Sequence, residues 1–168
     1  PYVHVHRADL LDALVARLAE LQGGAIETGH RVAGYARTGS EATLVMEGGE
    51  VRSGDIVIGA DGLHSVLRRQ MLGPDSPRFT GNIAWRAVVP MAALGADAPP
   101  PTACVWVGDK RHAVTTRLRG GTLANFVGMV EEDEAGKESW RAEGARDAAL
   151  ADFDGWHPTI RTLIARAD

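Results

Sequence analysis

The sequence predicts an α/β layer over residues 1–73 joined to an α+β domain over residues 78–168, the latter an antiparallel sheet carrying helices. Three observations predict it. A leucine-rich amphipathic stretch opens the chain. An apolar run without alternation, Ile56-Val57-Ile58, leads through Gly59-Ala60-Asp61-Gly62 straight into a second helical stretch. Four short β-rich segments then follow one another, with helical patterns only at the end. Between the halves lies Gly73-Pro74-Asp75-Ser76-Pro77, a composition suited to a crossing between domains.

Taken in order, Leu10, Leu11, Leu14, Val15, Leu18 and Leu21 share one helical stripe, predicting a helix over residues 7–22 that Gly23-Gly24 ends. Extended pieces are expected at 25–28 and 30–37. Segments 41–47 and 50–53 flank Gly48-Gly49, a hairpin turn in which glycine accepts positive φ without steric cost. Residues 55–59 read as a strand covered on both faces. A helix over 63–72 follows, closed by Gly73-Pro74. Strands are expected at 82–89, 103–107, 112–118 and 123–130, the last two joined at Gly120-Gly121. Ala98-Pro99-Pro100-Pro101 is too poor in donors for a strand interior. Helices are expected over 137–150 and 158–167, with Pro158 in the first turn of the second.

The chain has 168 residues, 45% of them hydrophobic, which is enough to bury a core. A net charge of -4 leaves no basic footprint for nucleic acid. The run Glu131-Glu132-Asp133-Glu134 reads as a solvated loop. A single cysteine, Cys104, excludes an internal disulfide and suits a reducing, cytoplasmic setting; inside an apolar strand it is expected to be an inert buried thiol. No apolar run approaches the roughly 18–20 residues of a membrane-spanning helix. The chain opens on Pro1 rather than Met, as a segment of something longer would.

Asp61 sits where a strand ends and a helix begins, with Gly59 and Gly62 removing side chains that would keep a ligand from the backbone. In open α/β sheets ligands lie off such carboxyl ends, and the first amides of the following helix can face an anion. The carboxylate there can accept hydrogen bonds from a ribose or position a water against a pyrophosphate. A solvated Asp-Gly turn with Ser65 at the helix start explains the bare motif equally well. His4 and His6 share a strand face, but nothing completes a zinc site. His64 and Ser65 are adjacent on a helix and lack a Gly-x-Ser-x-Gly elbow, which speaks against hydrolase chemistry. Trp85, Trp106, Trp140 and Trp156 read as core residues.

The run from Asp55 to Arg68, DIVIGADGLHSVLR, resembles the Asp-Gly fingerprint of the FAD-dependent aromatic hydroxylases, single-component flavoprotein monooxygenases of the salicylate and hydroxybenzoate hydroxylase type. The opening His6-Arg7-Ala8-Asp9-Leu10 is similar to the motif that starts a helix in that family. Ala84-Trp85-Arg86-Ala87, Arg119-Gly120-Gly121 with Asn125-Phe126-Val127, and Gly155-Trp156-His157-Pro158 follow in family order. The resemblance implies a partial FAD-binding, Rossmann-like layer followed by a substrate domain whose sheet roofs the flavin. It implies that Asp61 and Gly62 lie near the FAD pyrophosphate, that Arg7 reaches the cofactor, and that Val32 offers backbone groups to the adenine end. Arg68 would support the turn or the pyridine nucleotide. Arg86 would meet a substrate carboxylate with its planar fork, unless it is a snorkelling surface cation. Arg7 at a helix start is electrostatically unfavourable without an anionic partner, which favours a ligand there.

The chemistry so implied uses NAD(P)H and O₂ and passes through a flavin hydroperoxide to hydroxylate a small aromatic, phenolic-acid substrate. No residue stands out as the base that deprotonates it. The family's Gly-x-Gly-x-x-Gly unit is absent, since no two glycines flank a single residue anywhere. The later Gly-Asp motif lacks its context at Gly54-Asp55 and Gly108-Asp109. The chain therefore resembles an internal part of such an enzyme, inactive by itself. Two alternatives stay open: a related FAD epoxidase, halogenase or reductase, and a non-catalytic module binding a metabolite or partner.

Overall fold

The computed structural model describes residues 3–21, 24–74, 76–132 and 146–167. Asp133 and Glu134 of the acidic run, Trp140, Asp75 of the predicted junction and most of the helix expected over 137–150 lie outside them. Two compact units are present: Leu18–Arg78, and a second that gathers Pro1–Arg17 with Phe79–Asp168.

In the unit Leu18–Arg78, strands β1 (Val32–Thr38), β2 (Glu41–Met46) and β3 (Val51–Gly54) form an antiparallel sheet in that order. The predicted Gly-Gly hairpin forms, with Gly49 at φ +81° and its amide bonded to the Met46 carbonyl. Helix α2 (Val66–Leu72) lies on β1. Its Gln70 clasps the backbone of Tyr35, accepting from the Tyr35 amide at 2.8 Å and donating to the Tyr35 carbonyl at 2.6 Å. The neighbouring position must be glycine for that approach. A Cβ on Gly34 would stand 2.7 Å from the Gln70 amide oxygen.

The other unit is a four-stranded antiparallel sheet in the order β4-β7-β6-β5, from β4 (Asn82–Pro90), β5 (Cys104–Gly108), β6 (Arg111–Leu118) and β7 (Leu123–Glu131). Alternation sets its two faces. Ala124, Phe126, Gly128 and Val130 of β7 point to the core, so Asn125, Val127 and Met129 face the other way. Helices α3 (Arg146–Asp152) and α4 (Pro158–Ala165) supply the opposing core wall through Ala149, Ile160, Leu163 and Ile164, with Phe153 between them. Pro158 occupies the first turn as predicted, and His157 caps that turn by accepting the Thr159 amide on Nδ1.

Trp85, Trp106 and Trp156 pack against this core. Two of their indole N–H groups are satisfied there: Trp85 donates to Asp152 at 2.7 Å and Trp106 to the Thr115 hydroxyl at 3.0 Å.

Four expectations change. Residues 25–28 form no strand. Nor do residues 55–59, and Ile56 and Ile58 are 78% and 84% exposed. A strand needs a neighbour for its backbone groups, and among the described residues the sheet β1-β2-β3 ends at Gly54 without offering one. Helix α1 (Arg7–Glu20) forms, yet buries no residue; Leu10, Leu11, Leu14 and Val15 of its stripe are all exposed. The apolar periodicity identified the helix correctly but not a partner for its face. Finally, Cys104 is half-buried rather than buried, because β5 is an edge strand; its thiol lies 3.5 Å from the Thr102 hydroxyl.

Candidate active-site cleft and the Asp61 turn

The sheet unit carries a cleft of about 400 Å³ on the face opposite its core. One wall is the segment His4–Arg7, ending in the first residue of α1; the other is the open face of the sheet, with Arg86 and Val88 from β4, Thr116 from β6 and Asn125 from β7. Two residues singled out separately in the sequence, Arg7 and Arg86, thus line one cavity. Both bring a guanidinium to a surface that also carries His4, His6, Thr116 and Asn125 beside the apolar Val5, Val88 and Leu118. Such a cavity accommodates an aromatic anion: apolar rungs for the ring, guanidinium donors for the charge.

The Arg7 wall is tied to the sheet by an ion pair. Arg119, in the β6–β7 turn, donates to both carboxylate oxygens of Asp9 in the first turn of α1, at 2.6, 2.9 and 3.2 Å. Those hydrogen bonds, and then the charge of Arg119, hold the Asp9 carboxyl below its ordinary value; the same contact raises Arg119. Arg119 adopts φ +48°, uncommon for a residue with a side chain, and this left-handed backbone belongs to the turn from which it reaches Asp9. Asp9 also suits its place, because a carboxylate in a first turn opposes the helix dipole.

On β6 and β7, Thr116 and Asn125 are cross-strand partners on the cleft side, and the Asn125 amide donates to the Thr116 hydroxyl at 3.2 Å. Neither was singled out from the sequence as a site residue. Their signal was available only once strand register was known: both fall on the open parity of their strands, beside Val114, Leu118, Leu123 and Val127.

In the other unit, the Asp61 turn is built by its own side chains. Asp61 accepts from the Ser65 hydroxyl at 2.5 Å through Oδ1, and from the amides of Val66 and Leu67 at 2.7 and 3.2 Å through Oδ2. Ser65 in turn accepts the Arg68 amide at 2.9 Å as the N-cap of α2. Gly62 stands at φ +78°, a conformation glycine adopts without steric cost. Arg68 donates to the carbonyls of Gly62 and Leu63, the second at 2.5 Å, so its guanidinium braces the turn. The expectation that the first amides of this helix face a ligand anion is corrected here. The anion they face is Asp61 itself. Val32 sits at an irregularity in the β1–β2 ladder, opposite Met46.

These bonds, the Ser65 hydroxyl first and the Leu67 amide next, hold the Asp61 carboxyl below its ordinary value of 3.8. A group whose folded pKa is depressed contributes stability above its unfolded pKa and loses it as pH falls through the folded value. Asp61→Asn is therefore expected to lower the melting temperature at neutral pH. That deficit should shrink as pH falls below 3.8, where the wild-type carboxyl gains its proton. Melting curves of both proteins from neutral pH down to strong acid check this.

No protein-family model matches the chain. It is 34% identical over 172 residues to an FAD-dependent monooxygenase, atnJ, of Arthrinium sp., covering 97% of this chain and 40% of that protein. It is 35% identical over 167 residues to a 3-hydroxybenzoate 6-hydroxylase of Klebsiella oxytoca, covering 98% of this chain and 41% of that one. Among solved structures, Klebsiella pneumoniae HpxO complexed with FAD and uric acid superposes with a TM-score of 0.75 at 26% identity, over 96% of this chain and 40% of that one. The chain thus spans about two-fifths of the length of the proteins it matches.

Proposed function

The chain is homologous to the FAD-dependent aromatic monooxygenases, and from that premise we propose that it forms part of an enzyme that hydroxylates a small aromatic acid, using FAD, NAD(P)H and O₂. The observation that carries this reading is the cleft in which Arg7 and Arg86 line one cavity against the open face of an antiparallel sheet. In this reading the domain 78–168 binds substrate and residues 1–73 contribute to the flavin-binding part, with His4–Arg7 forming a wall of the substrate cleft.

The residues fit their assigned ligands. Arg86 binds the substrate carboxylate through its planar fork, and the apolar rungs of the sheet hold the ring. Arg7, which needs an anionic neighbour at the start of α1, faces the cofactor. Bound FAD supplies hydride acceptance from NAD(P)H and the activation of O₂. The sheet offers the ring an apolar floor, with Val88 in the cleft and the Val114–Val127 cross-strand pair beside it.

Asp61 acts here by shaping rather than by touching. With both oxygens engaged by Ser65, Val66 and Leu67, its carboxylate fixes the turn through Gly62, and that turn with Arg68 forms the surface offered to the pyrophosphate. Val32 contributes backbone groups toward the adenine end. The exposed leucines of α1, with Ile56 and Ile58, pack against the portion of the enzyme that this chain does not span. The full-length protein is expected to purify with FAD bound, and its Arg7→Ala variant to bind FAD about tenfold more weakly or worse, as loss of a charge-assisted hydrogen bond entails. Flavin absorbance after desalting measures this. A full-length wild-type protein that takes up no FAD contradicts the reading.

A further inference from the structure

We infer that the Thr116–Asn125 pair is the specificity-determining contact for a polar ring substituent of the substrate, a hydroxyl that both donates and accepts a hydrogen bond. The inference rests on the monooxygenase reading of the cleft and assigns a role within it to residues that carried none.

The geometry has three parts. First, Thr116 and Asn125 line the cleft, and Thr116 is only 3% exposed, so its hydroxyl is sheltered from bulk water. Second, their bonding is incomplete. The Asn125 amide nitrogen donates to the Thr116 oxygen at 3.2 Å, and among the described residues this is the one side-chain hydrogen bond either makes. The Thr116 O–H remains able to donate, and Asn125 Oδ1 remains able to accept. Thr116 is buried and Asn125 half-buried, and polar groups sheltered in a cleft in this way favour a ligand that completes their bonds. A hydroxyl accepting from Thr116 and donating to Asn125 does so.

Third, the register sets the span. Arg86 lies opposite Val127, while Asn125 lies opposite both Val88 and Thr116. Thr116 is therefore two strands across and two residues along from Arg86, about 12 Å between backbones from standard sheet spacings. The Arg86 side chain covers part of that distance, and one benzene ring with a substituent at either end covers the remainder. Along the neighbouring rung Val127 and Val114 pair across the same face and give the ring an apolar floor. A carboxylate at Arg86 and a hydroxyl at the Thr116–Asn125 pair define one molecule, a hydroxylated aromatic acid, held at both ends.

A competing role for the pair is to stiffen the sheet, since cross-strand side-chain pairs stabilise antiparallel strands. The two roles separate by ligand discrimination. The test uses the full-length protein loaded with FAD and measures dissociation constants for 2-, 3- and 4-hydroxybenzoate and for benzoate, by tryptophan fluorescence and without turnover. Thr116→Val keeps the shape and removes the hydroxyl; Asn125→Leu removes the amide.

Wild type is expected to bind at least one hydroxybenzoate about tenfold or more tightly than benzoate, and each variant to lose that preference while benzoate affinity stays within about twofold. Variants that weaken benzoate and hydroxybenzoate alike, or neither, overturn the assignment. A wild type that binds the acids without preferring any hydroxylated one also overturns it, leaving the monooxygenase reading in place. A wild type that binds none of the four contradicts the substrate reading of the cleft itself.

Discussion

Phe153→Ala is expected to destabilise the sheet unit by about 3–5 kcal/mol, the cost of truncating a fully buried aromatic side chain. Phe153 is completely buried between the helices and the sheet. Its ring meets Phe126 edge-on at 5.5 Å and Trp156 edge-on at 4.9 Å. It also fills a space that β7 keeps open for it. A Cβ built on Gly128 would stand 2.5 Å from the Phe153 ring and 2.7 Å from that of Phe126, so the strand carries glycine where the two aromatics converge. Removing the ring leaves a void walled by Gly128, which has no side chain with which to relax into it. Urea unfolding followed by tryptophan fluorescence should show a lower midpoint with an unchanged slope. A loss under about 1 kcal/mol would mean that the site collapses around the missing ring, against this packing account.

Arg86→Ala is expected to lower kcat/KM for the aromatic acid by about 10- to 100-fold in the full-length enzyme, mostly through KM. Arg86 lies on the open face of β4, in the same cleft as Arg7, and in the proposed reading its guanidinium holds the substrate carboxylate by charge-assisted hydrogen bonds. Losing a hydrogen bond to an ionised group costs about 1.5–3 kcal/mol, which sets that range. Arg86→Lys should recover only part, because an ammonium restores the charge but not the two-pronged geometry. Steady-state kinetics with both variants checks this. If Arg86→Ala leaves KM unchanged, Arg86 is a surface cation with no hold on the substrate.

Much of the sheet unit was legible in the sequence because its information is local. Alternation in β4, β6 and β7 marks one buried and one open face, and Gly120-Gly121 and Pro158 punctuate the elements where they were expected. The hairpin at Gly48-Gly49 was legible for the same reason. Where the sequence misled, the missing information was a partner. Ile56-Val57-Ile58 has the composition of a buried strand, but composition cannot state which strand lies alongside it, and here none among the described residues does. The leucine stripe of α1 is the same case on a helix.

The site divides in the same way. Asp61, Gly62 and Arg68 were recognisable as a constellation because they are close in sequence, but their roles were not. Sequence suggested amides free for an anion, whereas the turn spends them on Asp61. Arg7 and Arg86 were each visible alone, and only the register of the sheet and the placement of the His4–Arg7 segment put them in one cleft. Asp9, Arg119 and Asn125 stand in runs that carry the family resemblance, but their pairing, Arg119 with Asp9 and Asn125 with Thr116, has no local signature, because each pair is a contact between separate elements.

The most direct test of the account is the coupling of NAD(P)H consumption to product in the full-length protein supplied with FAD, O₂ and a panel of hydroxylated aromatic acids. The account predicts that one or more of these acids accelerates NAD(P)H oxidation, and that a product bearing one new hydroxyl, its oxygen drawn from O₂, accumulates nearly in step with the NAD(P)H used. Oxidation that no aromatic acid accelerates, with hydrogen peroxide as the sole product across the panel, would contradict it.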